Sequence, residues 1–272
     1  MFGIKSPEEM RALLPFDDKT AVTYNLFYRI LDDPEAFAVI SDEGTCVAAQ
    51  NINNSMWLWM DERCSDDQIR QYCKELVEVL KTRSIPSVIG MPRSVEPFSG
   101  LYATKHDLKL VPGMGMIAYY CPQAIPHSNT SWRVYCAGES DIDIIAEFSA
   151  GFTRDAFNKP AEKGDYIKTA ERLINSGNLY VLHNGEAVVS MANIAHRTKE
   201  YGRINLVYTP RELRKKGYAS HIVTALSEQL LTEGITPMLY TDDTNATSNK
   251  VYQDCGFIET GRLASITFTE KQ

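Results

Sequence analysis

Residues 206–220 run Leu206-Val-Tyr-Thr-Pro-Arg-Glu-Leu-Arg-Lys-Lys-Gly-Tyr-Ala-Ser220. A short apolar, β-prone run ends at Pro210. A basic stretch containing Arg214-x-x-Gly217-x-Ala219 follows, and a helical pattern begins at once. Successive backbone N–H groups at a helix N-terminus converge on an anion, and the helix dipole favours negative charge there, so this order suits a diphosphate. Gly217 and Ala219 keep side chains clear where backbone must approach phosphate oxygens. Arg214, Lys215 and Lys216 add positive charge at the rim. The hexapeptide alone also fits an ordinary basic helix start with a glycine turn, and its position between a strand and a helix is what favours the anion reading.

Beyond this loop, Ile222, Val223, Leu226, Leu230 and Leu231 fall at helical spacing, and Gly234 and Pro237 stop the run. Met238–Thr241 has the pattern of a buried strand and leads into Asp242-Asp-Thr-Asn245-Ala-Thr-Ser248-Asn249-Lys-Val-Tyr252-Gln-Asp-Cys-Gly256-Phe257. Four blocks stand in register: Val207–Pro210, Arg214–Ala219, Leu239–Asp242 and Asn245–Phe257. In these blocks the chain resembles the GNAT superfamily of acyl-CoA-dependent N-acyltransferases, and it looks closest to the branch holding the glycine N-acyltransferases. The detailed match covers about residues 200–260. The resemblance implies an α+β, α/β/α layered fold with a mixed, mostly antiparallel central sheet flanked by helices.

The resemblance also implies roles for particular residues. Backbone of Leu206, Val207 and Tyr208 would pair with the pantetheine arm of acetyl-CoA, the donor cosubstrate, and one N–H of that strand would face the thioester oxygen. The diphosphate would lie over Arg214, Lys215, Lys216, Gly217, Tyr218, Ala219 and Ser220. Tyr252 stands where many relatives keep a tyrosine that protonates the leaving sulfur. A phenol suits that task because its ordinary pKa of about 10 keeps it protonated at neutral pH. Tyr252 also fits simple packing beside Val251 and Phe257, or a cofactor contact. Asn245 and Asn249 lie four residues apart, on one helix face if the helix includes both. Asn245 suits the helix cap, and Asn249, mid-helix where its propensity is poor, suits a cofactor contact.

No general base can be named. Many relatives carry a glutamate on this strand, but Arg203–Tyr208 has neither carboxylate nor histidine. Glu200, His196 and Asp242 are nearby, and each also fits a solvated turn or strand end. A water chain or a residue of the first half is equally open.

Composition sets outer bounds. A chain of 272 residues allows one large or two ordinary domains. Its 44% hydrophobic content is ample for a packed core, and no apolar run approaches membrane-spanning length. The start Met-Phe-Gly-Ile-Lys-Ser-Pro has no apolar signal-peptide core, so a cytoplasmic location is expected. A net charge of -7 argues against a general binder of nucleic acid. Cysteines 46, 64, 73, 121, 136 and 255 show no close pairs, and the histidines form no ligand pair. Neither a disulfide framework nor a metal is therefore expected, and free thiols are.

The polar, two-proline segment Cys121–Thr130 has the character of an interdomain linker. It suggests a catalytic domain at 131–272, with helices near 141–156 and 163–176 and strands near 179–183, 186–195 and 201–208. Residues 1–122 show a similar order: helices near 7–14 and 20–31, strand-like runs at 37–40, 46–51 and 56–60, a helix at 66–82, a strand at 88–90 and a last strand at 114–120. This half is expected to be a diverged copy of the same fold, with an unrelated α+β domain as the alternative. In place of the phosphate loop it has Asp61-Glu-Arg-Cys-Ser-Asp-Asp67, which lacks glycine and carries four carboxylates, so only the second half should bind the cofactor.

The functional expectation is an acetyl-CoA-dependent N-acetyltransferase acting on a primary amine of a small molecule or amino acid, with no nucleic-acid or membrane partner. Two alternatives stay open. One is a non-catalytic acyl-CoA-binding or regulatory module. The other is an aminoacyl-tRNA-dependent transferase, as in other tandem copies of this fold, and the intact phosphate loop and acidic charge weigh against it.

Overall fold

A computed structural model describes residues 1–126 and 131–271. Packing divides the chain into two compact units. The first holds Met1–Ala118, Thr241–Thr244 and the residues from Thr260 on, and the second holds Tyr119–Tyr240 and Asn245–Glu259. Of the linker-like stretch, residues 127–130 lie outside the described residues. Its first part is tied into the second unit, because Cys121 N–H donates to Pro237 O at 2.8 Å and Ile125 N–H to Cys255 O at 3.1 Å.

The first unit begins with β1 (Phe2–Lys5), α1 (Pro7–Leu13), α2 (Asp18–Thr23) and α3 (Leu26–Ile30). Strands β2 (Phe37–Ser41), β3 (Cys46–Gln50) and β4 (Met56–Met60) follow, then α4 (Asp66–Val79), β5 (Ser87–Gly90), α5 (Pro92–His106) and β6 (Leu108–Pro112). The strand β7 (Met116–Tyr120) carries the chain onward. The second unit contains β8 (Arg133–Cys136), α6 (Ile142–Phe157), α7 (Ile167–Asn175), β9 (Leu179–His183), β10 (Val188–Arg197) and β11 (Tyr201–Tyr208). After these come α8 (Tyr218–Thr232), β12 (Thr236–Asp242), α9 (Ala246–Asp254) and the long β13 (Ile258–Glu270).

In the first unit the strands lie in the order β1-β2-β3-β4-β5-β13, with β6 also on β13. The pairs are antiparallel except β4 with β5, which run parallel from Met56↔Val88 to Leu58↔Gly90. In the second unit the order is β12-β11-β10-β9-β8, again antiparallel apart from the parallel pair β11/β12. Three antiparallel strands, a helix and a parallel strand therefore occur in the same order in both units. The expected order of two helices, three strands, helix, strand and helix holds in the second, while the closing strand β13 passes from Thr260 on into the first unit.

Local chemistry sets the boundaries. Ser65 opens α4 with a reciprocal capping box, accepting from Gln68 N–H while the Gln68 side chain accepts from Ser65 N–H. Ile69, Tyr72, Cys73, Leu76 and Val77 then bury one face of that helix against Leu58, Val88, Phe98 and Tyr102. The helical run near 20–31 divides at Tyr24. This residue is buried, its hydroxyl accepts from Met91 N–H at 3.1 Å, and its ring meets Phe16, Phe27 and Trp57. Strands β1 and β6 have no alternating buried pattern for a sequence reading to find. Helix α5 is fifteen residues long with Pro97 inside.

The second unit's core joins α6 and α7 to the sheet through Ile145, Phe148, Ala170, Val181, Met191 and Tyr208. All six cysteines are free, and Cys136 alone of them is exposed. Among the described residues no helix is long and apolar enough to cross a membrane.

Candidate functional site

The site grows from one irregularity in the second unit's sheet. Strands β11 and β12 pair at Tyr201↔Thr236, Gly202↔Pro237 and Arg203↔Met238, and there the ladder stops. β11 continues to Tyr208, and among the described residues its last five have no β12 partner, so they present a strand edge on that side. On its other side, Met191 of β10 pairs with Tyr208 and Asn193 with Asn205. One residue of β10, Ala192, thus faces two of β11, Leu206 and Val207, which is a β-bulge. Leu206 adopts φ 53°, a left-handed conformation costing roughly 1–2 kcal/mol for a side chain of this kind. The bulge turns backbone groups of Leu206 and Val207 out of the β10 ladder.

The end of β11 is fixed firmly. Ser190 Oγ donates to Tyr208 O at 2.9 Å and lies 2.9 Å from Thr209 Oγ1. The Tyr208 ring sits among Phe148 and Phe152 of α6. It fits only because Gly151 has no side chain, since a Cβ there would stand 2.2 Å from Tyr208 Oη. Burial raises the Tyr208 phenol pKa above its ordinary value.

From Tyr208 the chain enters the basic loop. Residues Arg211–Leu213 form a 3₁₀ turn, Lys215 takes φ 64°, and Gly217 takes φ 86° as the residue before α8. No side chain caps this helix. The first intrahelical bond runs from His221 N–H to Gly217 O at 3.0 Å, so the N–H groups of Tyr218, Ala219 and Ser220 precede it as first-turn donors. The Tyr218 side chain is an anchor: it is buried, its hydroxyl accepts from Asn184 Nδ2 at 3.2 Å, and its ring lies 4.7 Å from that of Trp132. Lys215 and Lys216 are exposed at the loop's crest. Arg214 behaves differently from the rim charge expected of it. Its guanidinium turns back, donating from Nε to Thr209 O at 2.9 Å and pairing with Asp155 of α6.

Helix α9 supplies the remaining candidates. Asn245 is its cap, accepting from Ser248 N–H at 3.0 Å. Asn249 Nδ2 donates to Asn245 O at 2.9 Å, so at least this part of its amide serves the helix. Tyr252 is buried, with its ring 6.0 Å from that of Phe257, and burial pushes its phenol pKa well up, keeping it protonated. Cys255 closes the same helix, with its thiol 3.6 Å from Ser220 O in the first turn of α8.

Four residues at this site carried no signal that a reading of the loop could use. Asp155 holds Arg211 and Arg214. Ser190 and Gly151 fix the end of β11. Asn193, only 6% exposed, donates from Nδ2 to Asn205 Oδ1 at 3.0 Å, and among the described residues its Oδ1 has no hydrogen-bond partner. Gly151 alone left a trace, as an isolated glycine within a helical pattern. An open cleft of about 550 Å³ adjoins the loop, lined by residues that include Arg154, Asp155, Lys159, Tyr208 and Arg211.

The corresponding place in the first unit is closed by the chain itself. The start of α4 is capped by Ser65 and carries Asp66 and Asp67 in its first turn. Arg93 binds Asp66 Oδ1 at 2.8 Å, Glu62 O at 2.9 Å and Cys64 O at 2.6 Å. Among the described residues no group of three or more His, Cys, Asp or Glu side chains is arranged to hold a metal.

Known proteins share this architecture. The family described as FR47-like protein matches residues 182–264, the stretch from β9 into β13. A GCN5-related N-acetyltransferase from Sphaerobacter thermophilus superposes with a TM-score of 0.64 at 14% identity, over 99% of this chain and 96% of that one. A GNAT-family acetyltransferase from Colwellia psychrerythraea gives 0.57 at 12% identity, over 98% and 100%. The chain has the GNAT fold. A tandem GNAT protein from the clavulanic acid biosynthesis pathway also matches, with a TM-score of 0.51 at 8% identity, over 100% of this chain and 99% of that one. No protein of curated function matches the sequence.

Proposed function

We propose that this chain is an acyl-CoA-dependent N-acyltransferase, related to the glycine N-acyltransferase branch, that moves an acetyl group to a primary amine of a small molecule or amino acid in the cytoplasm. The observation that carries this reading is the free edge of β11 beyond Arg203, with its bulge at Leu206, leading without a break into the uncapped start of α8. An extended pantetheine chain with amide groups is the chemistry that such an edge accepts, and a diphosphate is the chemistry that the following helix start accepts.

When bound, acetyl-CoA supplies an activated acyl group as a thioester. The backbone of Leu206, Val207 and Tyr208 aligns the pantetheine arm, and an N–H freed by the bulge polarises the thioester carbonyl. Lys215, Lys216 and the first-turn donors of Tyr218, Ala219 and Ser220 take the diphosphate, while Arg214 shapes the loop. The neutral amine attacks the carbonyl carbon, a C–N bond forms as the C–S bond breaks, and Tyr252, kept neutral by burial, gives its proton to the departing sulfur, while the proton that the nitrogen loses passes through water and restores the phenol. Asn245 and Asn249 hold the start of α9, and so the height of Tyr252, by their bonds to Ser248 and Asn245. The first unit, with its own carboxylates and Arg93 at the equivalent helix start, takes no cofactor.

Calorimetry with acetyl-CoA tests this directly, with one site per chain expected. Gly217→Glu places a bulky anion in the cradle and should abolish binding while leaving the circular dichroism spectrum unchanged. Two sites per chain, or undiminished binding by this variant, would refute the assignment. A screen of amines for release of free CoA thiol then identifies the acceptor.

A further inference from the structure

Asp155, in the last turn of α6, receives both arginines of the phosphate loop. Arg211 Nε and Nη2 each reach its Oδ1 at 2.7 Å, and Arg214 Nη2 binds its Oδ2. The carboxylate is 17% exposed, against 73% for Arg211 and 42% for Arg214, so the more sheltered partner is the one on the helix. Arg214 also binds Thr209 O, which ties the loop's beginning to its middle. The left-handed residues Lys215 and Gly217 follow directly. A loop that must hold Lys215 in a sparsely populated conformation needs its flank over-determined by other contacts, and this pair of charge-assisted contacts is placed to do so.

We propose that Asp155 is the positioning residue of the phosphate loop. By clamping Arg211 and Arg214 from α6, it holds the backbone in the conformation that presents the first-turn donors of α8, so a diphosphate meets a preformed cradle. The inference rests on the acyl-CoA reading above. It also runs against simple electrostatics, by which a carboxylate near an anion site weakens binding and its removal strengthens it. Preorganisation predicts the opposite sign, because a loop freed of its clamp must be ordered again at each binding event.

The test compares wild type with Asp155→Asn, Asp155→Glu and Arg211→Gln. The last removes half of the clamp from an exposed position if α6 does not tolerate change. CoA and pantetheine, which lacks the diphosphate, are titrated by calorimetry, and backbone hydrogen exchange is followed over residues 209–217 without ligand. Asp155→Asn should weaken CoA binding about tenfold, leave pantetheine binding unchanged and speed exchange in the loop. Asp155→Glu should recover part of the affinity. If wild type binds CoA and Asp155→Asn binds it equally or more tightly, or if loop exchange is unchanged, the clamp is overturned and the acyl-CoA reading stands. If wild type binds no CoA, the acyl-CoA reading falls and the role of Asp155 in binding falls with it.

Discussion

Gly151→Ala adds a single methyl group at the point where α6 meets the end of β11. The new Cβ would stand 2.2 Å from Tyr208 Oη and 2.7 Å from its Cζ, against ordinary contacts beginning near 3.4 Å. The ring must therefore retreat by more than an ångström, into space held by Phe148 and Phe152. Overpacking of this kind costs about 1–3 kcal/mol. Alanine returns up to about 1 kcal/mol as a better helix former than glycine. A clash this close falls near the top of the first range, which leaves a net loss of about 1–2 kcal/mol. The informative comparison is the same substitution in a Tyr208→Leu background, where the hydroxyl and outer ring are gone. There the helix term alone remains, and Gly151→Ala should stabilise. Urea titration of the four proteins, followed by far-ultraviolet circular dichroism, measures both steps. Destabilisation of equal size in both backgrounds would show that Tyr208 is not lodged against Gly151, and the account of how β11 is held would fail.

Tyr252→Phe keeps the ring beside Phe257 and removes one hydroxyl, so it should lower kcat on the order of 10²–10⁴-fold with little change in the acetyl-CoA dissociation constant. Single-turnover chemistry at saturating donor, set against an independently measured Kd, separates an acid from a donor contact. Stability should be flat through neutral pH and fall as pH rises from about 9, because burial raises the Cys121 thiol pKa to about 11, that of Cys73 to about 12 and that of the Tyr252 phenol well above its ordinary value. In that window the unfolded chain releases protons that the folded chain retains, so unfolding gains. Urea midpoints from pH 7 to 11 check the sign, and Tyr252→Phe should flatten the upper part of the curve. Asn245→Ala removes the cap on Ser248 N–H and should cost about 0.5–2 kcal/mol, seen first as faster hydrogen exchange in the opening turn of α9.

Much of this site could be seen in the linear chain, because its elements are set by local chemistry. Strand β11 spans 201–208 as its apolar run suggested, since Pro210 ends the ladder, and Gly217 marks the start of α8 because it takes φ 86°. The cap at Asn245 follows from its own side chain. What stayed hidden depends on partners far along the sequence. Nothing in a leucine announces φ 53°, and the bulge at Leu206 is a matter of register against β10. Arg214 looked like a free cation because its partner, Asp155, lies 59 residues away on α6. The buried amide of Asn193 resembles any strand residue until its pairing with Asn205 is known. Short edges such as β1 and β6 are held by ladder bonds more than by burial, and so leave no hydrophobic period to detect.

The last strand imposes an order on biosynthesis. Residues from Thr260 on are counted with the first unit, where β13 runs beside β5 from Ala264↔Gly90 to Thr267↔Ser87 and also pairs with β6. As the polypeptide leaves the ribosome, Ser87–Gly90 therefore emerges well before its partner in β13 and waits for it before the sheet can close. At 5–20 residues per second the interval is on the order of ten seconds. Throughout it, the backbone of Ser87–Gly90 offers an open edge to any extended segment nearby. A nascent chain arrested before Thr260 should thus leave the first unit's sheet, not its newest residues, exposed to chaperones and proteases.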